Sequence, residues 1–128
     1  MITLNWLKCG SDSRWCSFEL LNLNTVTELG IYIIWHKGNP GRVVRVGQGD
    51  VADRLSKHRT DPEIIAYKKI GALRVTWASV PAHQRDGVER YLADTWNPLV
   101  GDAFPDAVPI AVNSPVREGC IQLVGTKD

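Results

Sequence analysis

The alternation of hydrophobic and polar positions is clearest between Gly30 and Val46. Ile31, Tyr32, Ile33, Ile34 and Trp35 form a β-branched and aromatic run, Lys37-Gly38-Asn39-Pro40-Gly41 is dense in turn formers, and Val43, Val44 and Val46 resume the apolar pattern. Strand, turn and strand predict an antiparallel hairpin with a long loop. Because side chains alternate across a strand, Tyr32 and Ile34 are expected on the face opposite Ile31, Ile33 and Trp35. Gly47-Gln48-Gly49 is expected to break the second strand. Asp50 then supplies a helix cap, with Asp53 three residues on. In that helix Val51, Leu55 and His58 fall at i, i+4 and i+7 and share an inward stripe, while Arg54 and His58 lie one turn apart.

Asp61-Pro62-Glu63 predicts the start of a second helix, with proline at the first helical position and Gly71 at its end. Leu73, Val75 and Trp77 alternate with Arg74, Thr76 and Ala78, the pattern of a half-buried strand closed by Pro81. A last helix is expected from about Gln84 to Trp96, with Val88, Leu92 and Thr95 or Trp96 as its apolar stripe and Asn97-Pro98 as its stop. Residues 1–24 read as an extended lead-in with one short element. Residues 101–128 hold three of the seven prolines and read as a surface wrap with a late strand over Cys120 to Val124. These elements, with no internal repeat and no linker, predict one α/β domain over 1–128, a small and mostly antiparallel sheet of about three strands flanked by helices.

Composition narrows the class. A hydrophobic fraction of 44% and a charged fraction of 23% are those of a globular chain. The longest apolar run, Leu29 to Trp35, is far too short to span a bilayer, and the first residues lack a signal-peptide pattern, so a cytoplasmic protein without a membrane partner is expected. Cys9, Cys16 and Cys120 are odd in number and lack C-x-x-C spacing, which favours free, buried thiols over a disulfide framework or a metal site built from Cys9, Cys16 and His36. The net charge is only +1, but residues 36–74 carry nine basic and four acidic side chains. An acidic tail offsets this basic middle, a distribution that suits one phosphate-facing surface on a near-neutral protein and equally suits a solvated mixed-charge surface.

Three residues invite chemistry. Glu89 borders an apolar helix face formed with Leu92, Ala93 and Trp96, so its carboxylate needs a partner. A salt bridge to an arginine and a Mg²⁺ ion held by one carboxylate plus waters both satisfy that need. Arg54 and His58, just behind the glycine-rich turn, are either a solvated cation with a satisfied core histidine or a pair that holds a phosphate and moves a proton.

Gly30-Ile31-Tyr32, followed after the hairpin by Arg45-Val46-Gly47, resembles the paired signature of the GIY-YIG nuclease superfamily. The likeness continues into Asp53-Arg54-Leu55-Ser56-Lys57-His58, similar to the family helix with an arginine and a histidine four residues later. It reaches Gly87-Val88-Glu89-Arg90-Tyr91-Leu92, similar to the helix with the metal-binding glutamate, and Pro98 nine residues beyond. It covers Gly30 to Gly101.

The resemblance implies a GIY-YIG-type fold and a divalent-metal-dependent endonuclease acting on DNA, with branched or damaged DNA among the candidate substrates. Tyr32 would contact the attacking water, Arg54 would steady the phosphate, His58 would accept the proton, and Glu89 would hold one Mg²⁺ or Mn²⁺ ion. Gly47 would permit a tight turn beside the site. Arg45, Gly47, Gln48, Lys57 and Arg59 would contact nucleic acid, with a protein partner as a further means of targeting. Arg45 stands where the family carries its second tyrosine, and Gly101 where many members carry an asparagine. Those departures motivate an alternative, an inactive or weakened module that keeps the fold and binds nucleic acid without cutting it.

Overall fold

The computed structural model describes residues 1–10, 14–101 and 103–115. Four antiparallel strands form one sheet in the order β1-β4-β2-β3: β1 (Cys16–Ser17), β2 (Leu29–His36), β3 (Arg42–Asp50) and β4 (Leu73–Ser79). Helix α1 (Val51–His58) follows β3 directly. A four-residue helix, α2 (Pro62–Ile65), then runs into a 3₁₀ turn over Ala66–Lys69, and α3 (Ala82–Trp96) follows β4. The expected three-strand sheet with flanking helices is present, with β1 as a short addition at one edge.

The helix boundaries follow from local chemistry. The Asp50 carboxylate accepts a hydrogen bond from the Asp53 amide at 3.3 Å and opens α1. Asp61 does the same for α2 through the Glu63 amide at 2.9 Å, with Pro62 at the first helical position. Helix α3 ends at Asn97, whose φ of 47° is left-handed and directs the chain into Pro98.

Strand alternation sorts the core into two layers. Ile31, Ile33 and Trp35 join Val88 and Leu92 of α3, together with Leu4 and Val112 from the flanking segments. Tyr32 and Ile34 face the other way, onto Val51 and Leu55 of α1, Ile64 of α2, and Phe18. The last three strands are therefore covered on both sides. That corrects the half-buried reading of β4: Thr76 is fully buried, and its hydroxyl donates to the Leu7 carbonyl at 2.7 Å while the Leu7 amide donates to Trp77 at 3.0 Å. The N-terminal leg lies over a surface that alternation alone left open to solvent. Trp6 donates from its ring nitrogen to the Asn113 carbonyl at 2.9 Å, and Trp15 packs edge-on against Trp35 at 5.5 Å.

Two further expectations are corrected. Gly47-Gln48-Gly49 does not break the strand: β3 continues to Asp50, with Gly47 opposite Tyr32 and Gly49 opposite Gly30. Cross-strand pairing along the whole of β2 outweighs the low strand propensity of glycine. Cys9 and Cys16 are not free thiols but a disulfide, their Cα atoms 5.0 Å apart. An isolated bridge between Cys9 and Arg14 folds the chain back on itself and brings the two cysteines together, a proximity that spacing could not reveal. The late strand expected over Cys120 to Val124 lies outside the described residues. Among the described residues no helix is long and apolar enough to cross a membrane.

Candidate functional site

Strand β3 is the last in the sheet order, and α1 and α3 pack beside it from opposite faces. Between them lies a pocket of about 190 Å³ lined by Tyr32, Arg45, Gly47, Gln48, Arg54, His58 and Glu89. The four residues expected to act on substrate and three of the five expected to contact nucleic acid thus meet in one place.

Each side chain arrives for a local reason. Tyr32 projects from the buried centre of β2 and is 2% exposed, so its hydroxyl must be satisfied within the fold. It bonds His58 Nε2 at 2.6 Å, with the Arg45 guanidinium lining the same pocket. Gly47, directly opposite on β3, makes room for it: a Cβ there would overlap the Tyr32 hydroxyl. The glycine is required by this close approach rather than by the turn expected at that position. Arg45 shares that face by ordinary alternation, two residues before Gly47 and paired with Ile34; a register shift then follows between Ile34 and Trp35, so that Trp35 pairs with Val43. The extra residue, Val44, reverses the phase of the strand, so Val44 and Arg45 point to the same side. Arg54 and His58 extend from successive turns of α1, with His58 at the end of the stripe begun by Val51 and Leu55.

Glu89 comes from the opposite helix and is 8% exposed. Among the described residues no arginine or lysine forms a salt bridge with it. The Gln48 side chain lines the pocket beside it and donates to Asp86 at 2.7 Å. Asp86 was missed in the sequence, although it precedes Glu89 by three residues and so shares its helix face.

Burial dominates the electrostatics. Desolvation, reinforced by the nearby Arg45 charge, lowers the His58 pKa to about 4, so the imidazole is neutral near pH 7 and can accept a proton. Desolvation raises Tyr32 above its ordinary value despite the opposing pull of Arg45, which keeps the phenol protonated. A neutral His58 with its ring proton on Nδ1 accepts the phenolic proton at Nε2, the direction that proton transfer from Tyr32 requires. Desolvation also raises Glu89, opposed by the Gln48 side chain beside it. A buried carboxylate of this kind favours a cation beside it.

Two of the expected nucleic-acid contacts lie elsewhere. Arg59 donates to the backbone carbonyls of Phe18 (3.0 Å) and Leu21, which ties the 18–21 segment to the end of α1. Lys57 forms an exposed salt bridge with Asp53 at 3.2 Å. Lys68, also from the basic middle of the chain, pairs with Glu19 at 2.7 Å. Among the described residues no group of three or more His, Cys, Asp or Glu side chains converges as a metal site. Any ion here would rest on Glu89 with solvent and substrate oxygens, a donor set within the habits of Mg²⁺.

Comparisons of the chain with protein-family models, curated proteins and solved structures find no match.

Proposed function

We propose that the pocket hydrolyses phosphodiester bonds in DNA, as a GIY-YIG-type endonuclease site. The observation that carries this reading is the 2.6 Å bond between Tyr32 and a neutral His58, inside a pocket shared with Arg54 and a buried Glu89. Hydrolysis requires a base for water, positive charge for the phosphoryl oxygens and stabilisation of the departing oxygen. These residue types supply all three.

Tyr32 orients a water against phosphorus and takes up its proton while passing the phenolic proton to His58 Nε2. The water oxygen bonds to phosphorus as the bond to the departing sugar oxygen breaks, and that oxygen takes a proton from solvent, leaving a phosphomonoester and a hydroxyl. Arg54 offsets the charge that accumulates on the phosphoryl oxygens. Glu89 would hold one divalent ion, Mg²⁺ or Mn²⁺, which would supply Lewis-acid stabilisation of the departing oxygen.

The test is nicking of supercoiled plasmid and cleavage of branched oligonucleotides with Mg²⁺ or Mn²⁺, comparing wild type with Glu89→Gln. The expected result is metal-dependent cleavage that disappears in a folded Glu89→Gln protein. Retained cleavage in that variant overturns the reading.

Arg45 favours a second reading, in which the domain binds nucleic acid without cutting it, because a guanidinium cannot serve as a base near neutral pH. Salt-sensitive DNA binding that survives Glu89→Gln, with no cleavage by wild type in either metal, would select it.

A further inference from the structure

Gly101, far away in sequence, lies against the guanidinium of Arg45, which lines the pocket. Gly101 has a φ of +101°, and a Cβ on it would stand 2.5 Å from Arg45 Nη1 and 3.2 Å from Cζ. A side chain at 101 is therefore opposed both by the backbone conformation and by the guanidinium that fills the adjoining space. On its other side Arg45 faces the pocket that it lines with Tyr32, His58 and Glu89. Its Nε is buried and has no hydrogen-bond partner. Buried N–H groups on a cation are normally satisfied, and an anion entering the pocket is the partner this one lacks. The Arg45 charge also acts on Tyr32, His58 and Glu89 more strongly than does that of Arg54. It is the electrostatic centre of the pocket, whereas Arg54 is an exposed side chain on α1.

We propose that Arg45 is the principal phosphate ligand of this pocket, that it grips a phosphoryl group together with Arg54, and that Gly101 is the residue that admits it. Two guanidinium groups on separate elements give each non-bridging oxygen its own planar fork of donors. The proposal deepens the nucleic-acid reading above by naming the residue that holds the phosphate. It does not depend on cleavage, since it concerns binding alone.

The experiment measures binding without metal, in EDTA. A fluorescein-labelled duplex is titrated by anisotropy at several salt concentrations against wild type, Arg45→Met, Arg45→Lys, Gly101→Ala and the double variant Arg45→Met/Gly101→Ala. In parallel, inorganic phosphate is titrated while the Arg45 Nε–H resonance is followed by NMR.

Arg45→Met is expected to weaken duplex binding roughly tenfold, the scale of one charge-assisted hydrogen bond, and to reduce the salt slope by about one. Arg45→Lys, which keeps the charge and loses the fork, should recover the slope but only part of the affinity. Gly101→Ala should mimic Arg45→Met by displacing the guanidinium, and should cost little more when Arg45 is already Met. A full additional loss in the double variant would mean backbone strain alone and would overturn the role of Gly101. Wild-type affinity and slope in Arg45→Met would overturn the phosphate assignment while leaving nucleic-acid binding in place. If phosphate moves the Arg45 resonance but no duplex binds, the anion site stands, its source is free phosphate, and the nucleic-acid reading fails. If neither ligand acts, the proposal fails.

Discussion

On the α3 side of strand β2, Ile31, Ile33 and Trp35 meet Val88 and Leu92 in a layer of apolar side chains. On the α1 side, Ile34 begins in the same way among Val51, Leu55 and Ile64, but Tyr32 meets Gly47, Arg45 and His58. Burial does not separate Tyr32 from the core residues of its own strand, since Tyr32 is 2% exposed and Ile33 0%. The two regions differ in what the neighbours supply. The apolar side is filled with volume, which any well-fitting hydrocarbon provides. The polar end is built around absences: the missing Cβ of Gly47 makes room for a phenol and that of Gly101 for a guanidinium. A core and a candidate site can thus share one strand, and be told apart by whether space is left for hydrogen-bonding groups.

The largest effect should come from breaking the polar side alone. Tyr32→Phe removes the hydroxyl between Arg45 and His58, and cleavage is expected to fall about 10²- to 10⁴-fold, the range of a lost proton-transfer group. Single-turnover rates measured on a protein with an unchanged circular dichroism spectrum would check it. If the rate holds, the hydroxyl has no part in the chemistry. Breaking the apolar side should do the reverse. Leu92→Ala is expected to cost about 2–5 kcal/mol in urea denaturation, with specific activity near wild type well below the melting temperature. A loss of activity larger than the unfolded fraction explains would show that the two faces are coupled.

A pH titration sharpens the contrast further. The His58 pKa lies near 4 in the folded protein against an ordinary value of 6.5. Between those values the unfolded chain takes up a proton that the folded protein refuses. Stability from this residue is therefore fully present above about pH 6.5, falls as the pH drops towards 4, and levels off below it. The melting temperature of wild type should decline through this window more steeply than that of His58→Gln, and equal declines would contradict the buried, neutral imidazole. The acid limb of kcat/KM should likewise fall near pH 4 rather than 6.5. The smallest effect is expected at the surface. Lys57→Ala removes an exposed i,i+4 pair with Asp53, and stability should change by no more than about 0.5 kcal/mol. DNA affinity that drops as far as in Arg45→Met would return Lys57 to the binding surface.

Much of the fold was legible because its determinants are local. Asp50 and Asp61 cap their helices through amides two or three residues on, and the Ile31-to-Trp35 run declares a strand whose faces follow from its pleat. Tyr32, Arg54, His58 and Glu89 were singled out from spacing and resemblance, and the fold brings them to one pocket. Arg59 was misplaced because a charge in a basic stretch does not reveal a backbone carbonyl waiting for it 41 residues earlier. The disulfide was missed for a similar reason, since a fold-back between Cys9 and Arg14 leaves no periodic mark.

By itself the amino-acid order determined the strands, the caps and the helix stripes, because each depends on neighbours within a few positions whose geometry the backbone period dictates. Which residues surround the pocket cavity was decided only in three dimensions. One unpaired residue, Val44, shifted the phase of β3 between Val43 and Arg45, so that Val44 packs on the same side of the sheet as Arg45. Gly101, 56 residues further on, came to lie against that guanidinium because the chain beyond α3 returns along β3, with the Val100 amide bonded to the Val44 carbonyl at 2.8 Å. A phase reversal and a long-range contact are properties of how strands and returning segments pack together, and no local window of sequence contains both partners.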